Sequence, residues 1–366
     1  MKKMKWLVLT TLLMALMVLV ACQEETSGAK EPEEPQNEKE EVKDTGSEAD
    51  VVEVENKDEI EIGEPEVTDV TLRLNWRFKG EFTPFFVAKQ KGIFEKYGLE
   101  VEVLEGNGST NTMQTISQGQ DDFGITSTVE PSQGIEQDMP IKMIASYMNR
   151  SPIMIASHPD TPVETPKDLE GKRIAMSISS TFTNIFPNFL DSHDVDASQV
   201  DAVQVETSAR NGVFLNKEVD AVAIFATNEY PIFEQELGVD LTPLYLADFE
   251  YDLSGLTMIG NTEFLDQNPN TVKRFLAAID EAFHYTFENK EESISIVLEL
   301  FPDATDENTV SSQLDLLEEI SVFDNEAYGT MTEQNMNNTL EILESSNLIS
   351  ERADLERYYT NEYLPQ

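Results

Sequence analysis

Apolar and polar residues recur along this chain at two spacings, and the switching between them lays out its elements. Val70-Thr71-Leu72-Arg73-Leu74 alternates with period two and predicts a strand that ends at Asn75-Trp76. Helical spacing takes over from Thr83 to Phe94, where Phe85, Phe86, Ala88, Lys89 and Ile93 fall along one element and Lys91-Gly92 lies near its end. Tyr97-Gly98 turns the chain into a second strand, Leu99 to Leu104. Gly106-Asn107-Gly108-Ser109-Thr110 then opens a helix over Asn111 to Gln118. Phe123 to Thr126 and Ile141 to Tyr147 read as short buried strands. Strands and helices alternating at this spacing predict βαβ units and a mostly parallel sheet.

The pattern restarts after Thr165-Pro166-Lys167-Asp168-Leu169. Strands are expected at Arg173 to Met176, Val200 to Val205 and Ala221 to Phe225, with helices after Ser179-Ser180-Thr181 and around Asn211 to Asn216. A further strand, Leu256 to Ile259, returns the chain to its first unit. The remainder is largely helical: Pro269 to Phe287, Glu291 to Leu300, Thr309 to Ile320 and Glu333 to Ser345. The expectation is an α/β protein of two lobes, each a mostly parallel sheet flanked by helices, closed by a helical C-terminal segment. Lobe 1 would take 70–155 and 252–366, and lobe 2 would take 156–251. Hinges are expected near Arg150 to Ser157 and Tyr251 to Leu256.

The N-terminus changes the picture of where such a protein works. Three lysines within Met1 to Lys5 precede an apolar run, Trp6 to Val20, shorter than the roughly 20 residues of a spanning helix. Leu19-Val20-Ala21-Cys22 resembles the lipobox of bacterial lipoproteins. That resemblance implies a signal peptide over 1–21, cleavage before Cys22 and lipidation of its thiol, and so a membrane anchor on the extracytoplasmic face. Cys22 is also the single cysteine, so the exported domain would have no disulfide. Residues 23 to 69 hold 19 Asp and Glu against four Lys and no aromatic, which predicts a disordered tether.

The formal charge of −45 is carried mostly beyond the tether and excludes a nucleic-acid binder. His158, His193 and His284 are too dispersed for a metal site, and no nucleophile elbow or Walker loop occurs. No enzyme chemistry, cofactor or metal is therefore expected. Gly106-x-Gly108 alone is weak evidence for a phosphate loop.

Four stretches resemble the solute-binding proteins of bacterial ABC importers, in the NMT1/THI5-like branch. They are Leu74-Asn75-Trp76 through Tyr97-Gly98-Leu99-Glu100-Val101, then Thr165 to Ala175, then Val219-Asp220-Ala221-Val222 with Asn228-Glu229, and Asn268-Pro269 with Phe275-Leu276-Ala277-Ala278. The resemblance implies a type II periplasmic-binding-protein-like fold, a small-molecule ligand, and a permease with its ATPase as partners, the receptor itself a monomer. Binders of pyrimidine vitamin precursors, riboflavin, sulfonates and nitrate share that branch. The pyrimidine branch usually reads Trp-x-Pro-Asn followed by a His and an aromatic. Here Trp76-Arg77-Phe78-Lys79 stands instead, with Phe82 at the His position and Phe86 at the aromatic one, which leans toward a flavin-like ring. Pyrimidine synthases on this fold carry a cysteine-rich motif that this chain lacks.

In open α/β sheets ligands bind beyond the carboxyl ends of strands. That rule gathers Asn75, Trp76, Ser109, Thr126, Ser127, Ser179, Ser180, Thr181, Phe225, Asn228 and Glu229 at one cleft. Trp76 would supply a stacking plane, with Phe82 and Phe86 as a second wall. Asn228 and Glu229 would read the N–H and ring-nitrogen pattern of a heterocycle, and Tyr251 is a further candidate near the return hinge. A small anion such as a sulfonate, taurine or nitrate would need cations instead, from among Arg77, Lys79, Arg150 and Arg210. A sensory lipoprotein that never transports is the remaining alternative.

Overall fold

The computed structural model describes residues 62–178, 180–321 and 326–365. Cys22, the expected signal peptide, most of the expected tether and Ser179 lie outside them. The last part of that tether is not loose. Glu66 accepts hydrogen bonds from the Asn270 and Thr271 amides at 3.2 and 2.9 Å, capping the start of the helix Pro269–Glu288. Arg274 Nε and Nη2 donate to the Gly63 and Ile62 carbonyls at 2.7 and 2.9 Å. Acidic composition predicts disorder only where the acids have no partner, and here a helix N-terminus and a buried arginine supply them.

Among the described residues ten strands run in chain order: β1 Asp69–Arg73, β2 Glu100–Leu104, β3 Phe123–Ser127, β4 Ile141–Ser146, β5 Ile153–Ser157, β6 Arg173–Ser177, β7 Asp201–Val205, β8 Ala221–Phe225, β9 Thr242–Tyr245 and β10 Leu256–Asn261. They form two five-stranded sheets of the same design, ordered β2-β1-β3-β10-β4 and β7-β6-β8-β5-β9. In the first, β1 is parallel to β2 and β3, while β10 is antiparallel to β3 and β4. In the second, β6 is parallel to β7 and β8, while β5 is antiparallel to β8 and β9. Each sheet is thus mostly parallel, as expected, with four strands running one way and a single reversed strand that makes it mixed. Both reversed strands, β5 and β10, arrive from the opposite sheet rather than through a local βαβ crossover, and spacing along the chain does not encode their direction.

The two-lobed α/β architecture is the expected one, but the boundary expected after residue 155 cuts through β5. The chain changes sheets over 147–152 and again over 246–255. Apolar strands are covered on both faces: every residue of β3 and of β5 is buried. Phe123 of β3 stacks on Phe275 of the helix Pro269–Glu288 at 4.1 Å between ring centres. The helical segment after Leu300 serves both lobes. Gln313, in the helix Glu307–Ile320, accepts from the Gly80 amide at 2.8 Å and donates to the Asn228 carbonyl at 2.8 Å. Further along, Asn188 Nδ2 of the second lobe donates to the Ser345 carbonyl at 2.9 Å.

Candidate functional site

A cavity of about 430 Å³ opens where β1, β3, β6 and β8 end. Asn75, Trp76, Ser109 and Ser127 face it from the first lobe, and Ser180, Thr181, Phe225, Asn228 and Glu229 from the second. Beside them stand Lys79, Glu81, Glu130, Ser177 and Arg210.

The wall at the end of β1 is built by close backbone approach. Gly106 N donates to the Trp76 carbonyl at 3.0 Å and Gly108 N to the Asn75 carbonyl at 2.6 Å. These glycines hold a turn beside the site, which accounts for them without a phosphate. Trp76 is thereby fixed by its main chain while its side chain stays 42 % exposed. Asn75 Nδ2 donates to Ser109 Oγ at 3.3 Å, and Ser109 Oγ also accepts from the Ser127 amide at 3.0 Å. Ser127 Oγ donates to Glu130. Asn75 Oδ1 is left buried with no hydrogen-bond partner among the described residues.

In the second lobe, Ser180 caps the helix Thr181–Ser192 by accepting from Thr183 N at 3.2 Å. Glu229 accepts from Arg210 Nη2 at 2.7 Å. Arg210, 8 % exposed, also donates to the Ala223 carbonyl and the Asn211 side chain. Among the described residues, Ser177 Oγ and Asn228 Oδ1 are buried without partners, as Asn75 Oδ1 is. Unpaired buried polar atoms cost about 1–3 kcal/mol each, so three around one cavity, one from the first lobe and two from the second, suit a hydrogen-bonding guest.

Sequence reasoning missed Glu81, as it missed Glu130 and Ser177 on the same lining. Glu81 is 3 % exposed, and Thr227 Oγ1 of the opposite lobe donates to it at 2.6 Å. Burial, with a contribution from the Glu229 charge, pushes its carboxyl up to about 7, against hydrogen bonds from Thr227 and Asn228 and the Lys79 charge. The available signal was a lone acid between Phe78 and Phe82, following the cations Arg77 and Lys79. Raised above its ordinary value of 4.5, this group holds its proton more tightly folded than unfolded. Its contribution to stability is full below about pH 4.5 and is lost as pH rises through about 7. Glu81→Gln is expected to remove that dependence. Urea unfolding of both proteins across this range should show the wild type losing about 3 kcal/mol that the variant keeps.

Four expected residues are not on this cavity. Phe82 is fully buried, because the turn Gly80–Phe82 sends Glu81 toward the cleft and Phe82 into the core. Phe86 packs edge-on to Phe78 and Phe301, with centroids at 5.7 and 4.9 Å. Thr126 is fully buried one position before Ser127, and alternation along β3 sends their side chains to opposite faces. Tyr251 donates to Asn188 and lines a larger cavity of about 740 Å³, against the helices Thr181–Ser192 and Glu333–Ser345, away from the strand ends. That second cavity holds none of the unpaired polar atoms. The three histidines stand apart from the cleft lining, and no cluster of His, Cys, Asp and Glu able to hold a metal occurs among the described residues.

Comparison with known proteins agrees with this architecture. The riboflavin-binding protein RibY of Chloroflexus aurantiacus is 23 % identical over 316 residues, covering 82 % of this chain and 88 % of that one. The formylaminopyrimidine-binding protein of Halalkalibacterium halodurans is 22 % identical over 235 residues, covering 63 % and 69 % respectively. Among solved structures, the periplasmic aliphatic sulphonate binding protein SsuA of Escherichia coli superposes with a TM-score of 0.65 at 14 % identity, covering 80 % of this chain and 92 % of that one. A family model described as NMT1/THI5 like matches residues 79–293. With more than half its length inside that match, the chain belongs to the NMT1/THI5 like family.

Proposed function

We propose that this protein is an extracytoplasmic solute receptor that captures a small aromatic heterocycle, riboflavin-like or a pyrimidine precursor, and delivers it to an ABC permease and its ATPase. The observation that carries the reading is the exposed Trp76 plane at the mouth of a cavity walled by unpaired side-chain oxygens. A ring stacked on Trp76 would place its N–H edge against Asn75, Asn228 and Glu229. The relatives that bind riboflavin and formylaminopyrimidine support this choice of chemistry. Cys22 would tether the receptor to the membrane beside its permease.

A small anion suits the cleft less well. Arg210 is neutralised by Glu229, and Glu81 and Glu130 add further acid to the lining. Among the described residues Lys79 is the remaining cation on the wall. Calorimetric titration with riboflavin, formylaminopyrimidine, taurine and nitrate separates the two. A ring should bind at micromolar or better, about −8 kcal/mol. Taurine or nitrate binding more tightly than either ring would overturn the proposal.

A further inference from the structure

Two buried side chains of the first lobe, Glu81 and Gln313, hold two consecutive residues of the second. Glu81 belongs to the turn Gly80–Phe82, just ahead of the helix Thr83–Gln90. Gln313 lies in the helix Glu307–Ile320, whose Val310, Leu314 and Leu317 pack into the same core as Leu72 of β1. Its Oε1 accepts from the Gly80 amide at 2.8 Å. A Cβ on Gly80 would stand 2.6 Å from that oxygen, so the absence of a side chain there admits the amide. Facing them, Thr227 and Asn228 follow β8 of the second lobe. Thr227 Oγ1 donates to Glu81 Oε2 at 2.6 Å, and Gln313 Nε2 donates to the Asn228 carbonyl at 2.8 Å. Glu81, Thr227 and Gln313 are 3 %, 0 % and 1 % exposed, so solvent competes little for either bond.

We propose that these two bonds form a clasp that holds the lobes closed before a guest arrives, with Thr227 and Gln313 as positioning residues. Neither of them lines the cavity, but Asn228 and Glu229, next along the chain from Thr227, do. Each bond joins one protein group to another, so the clasp does not depend on which guest fills the cleft. Lobes that swing about the crossing segments 147–152 and 246–255 carry the turn Gly80–Phe82 away from residues 227 and 228, and both bonds break. Opening hands the freed groups to water, so each bond favours closure by about tenfold rather than locking it. A guest seated against Asn228 and Glu229 holds the same segment from the cavity side, while the clasp holds it from behind. Closure is then shared between them, and the guest has less of it to supply.

The test reads the separation of the lobes in the full chain, purified free of ligand. Spin labels are attached through Asn107→Cys and Glu206→Cys in a Cys22→Ser background, at exposed positions just beyond β2 and β7. With the native side chains at 227 and 313, double electron–electron resonance should give one short distance. Thr227→Val keeps the shape and loses the hydroxyl, leaving Glu81 without that donor only while the lobes are closed. It should lower the ratio of closed to open about tenfold and add a longer distance. Thr227→Ser restores the hydroxyl and should restore the short distance. Gln313→Met should open the lobes in the same way, and the Thr227 pair carries the test should that variant fail to fold. A Thr227→Val distribution identical to the native one overturns the proposal. So does a native protein whose lobes already stand apart, and so does Thr227→Ser as open as Thr227→Val, since packing rather than the bond would then be responsible.

Discussion

Gly106→Ala is expected to destabilise the protein by about 3 kcal/mol or more, a larger effect than a surface loop substitution would have. A Cβ placed on Gly106 would lie 1.8 Å from the Leu74 carbonyl oxygen and 2.8 Å from the Asn75 carbonyl carbon. Both obstacles are backbone, so no rotamer change relieves them. The end of β1 would have to move, and with it the hydrogen bonds from Gly106 to Trp76 and from Gly108 to Asn75. Gly119→Ala is the matched control. It has positive φ, 65°, but open space around it, and should cost only about 1–2 kcal/mol. Urea unfolding of the two variants checks this. A Gly106→Ala midpoint as high as that of Gly119→Ala would show that the close approach is not tight. The folded fraction of Gly106→Ala should also bind ligand poorly, because the displaced segment carries Asn75 and Trp76.

How much of this is legible in the sequence depends on which physical signals are local. Strand β1 and the helix Thr83–Gln90 announce themselves by period, and the restart near Arg173 announces a second sheet. The rule that ligands sit beyond strand ends then leads to Trp76, Ser127, Phe225, Asn228 and Glu229 without any coordinates. Strand direction is different. Whether β10 runs with or against β3 depends on its coming from the other lobe, a long-range fact. Within the site, errors arise from side-chain direction. Phe82 and Glu81 are neighbours in a short turn, and their exchange of faces depends on a bond from Gly80 to Gln313, 233 residues away. Tyr251 is near a hinge in sequence, but it points between the helices Thr181–Ser192 and Glu333–Ser345. The acids of 62–69 resemble tether because composition is blind to Arg274 and the start of the helix Pro269–Glu288.

Trp76→Ala should weaken binding of the ring ligand by about 2 kcal/mol, near thirtyfold, while leaving stability within about 0.5 kcal/mol. Two features of the site separate these effects. The side chain is 42 % exposed, so truncation removes little core packing, and the turn around it is held by main-chain bonds that Ala preserves. Ligand binding, by contrast, would cover that exposed face, and stacking adds about 0.5–1.5 kcal/mol beyond the area buried. Trp76→Phe should recover most of the affinity, because a smaller ring still offers a plane. Calorimetry on the three proteins with riboflavin, beside thermal melts, makes the comparison. An anion held by Lys79 and main-chain amides would be bound almost equally by all three. Loss in Trp76→Ala with recovery in Trp76→Phe therefore argues for a planar guest, independently of which ring it is.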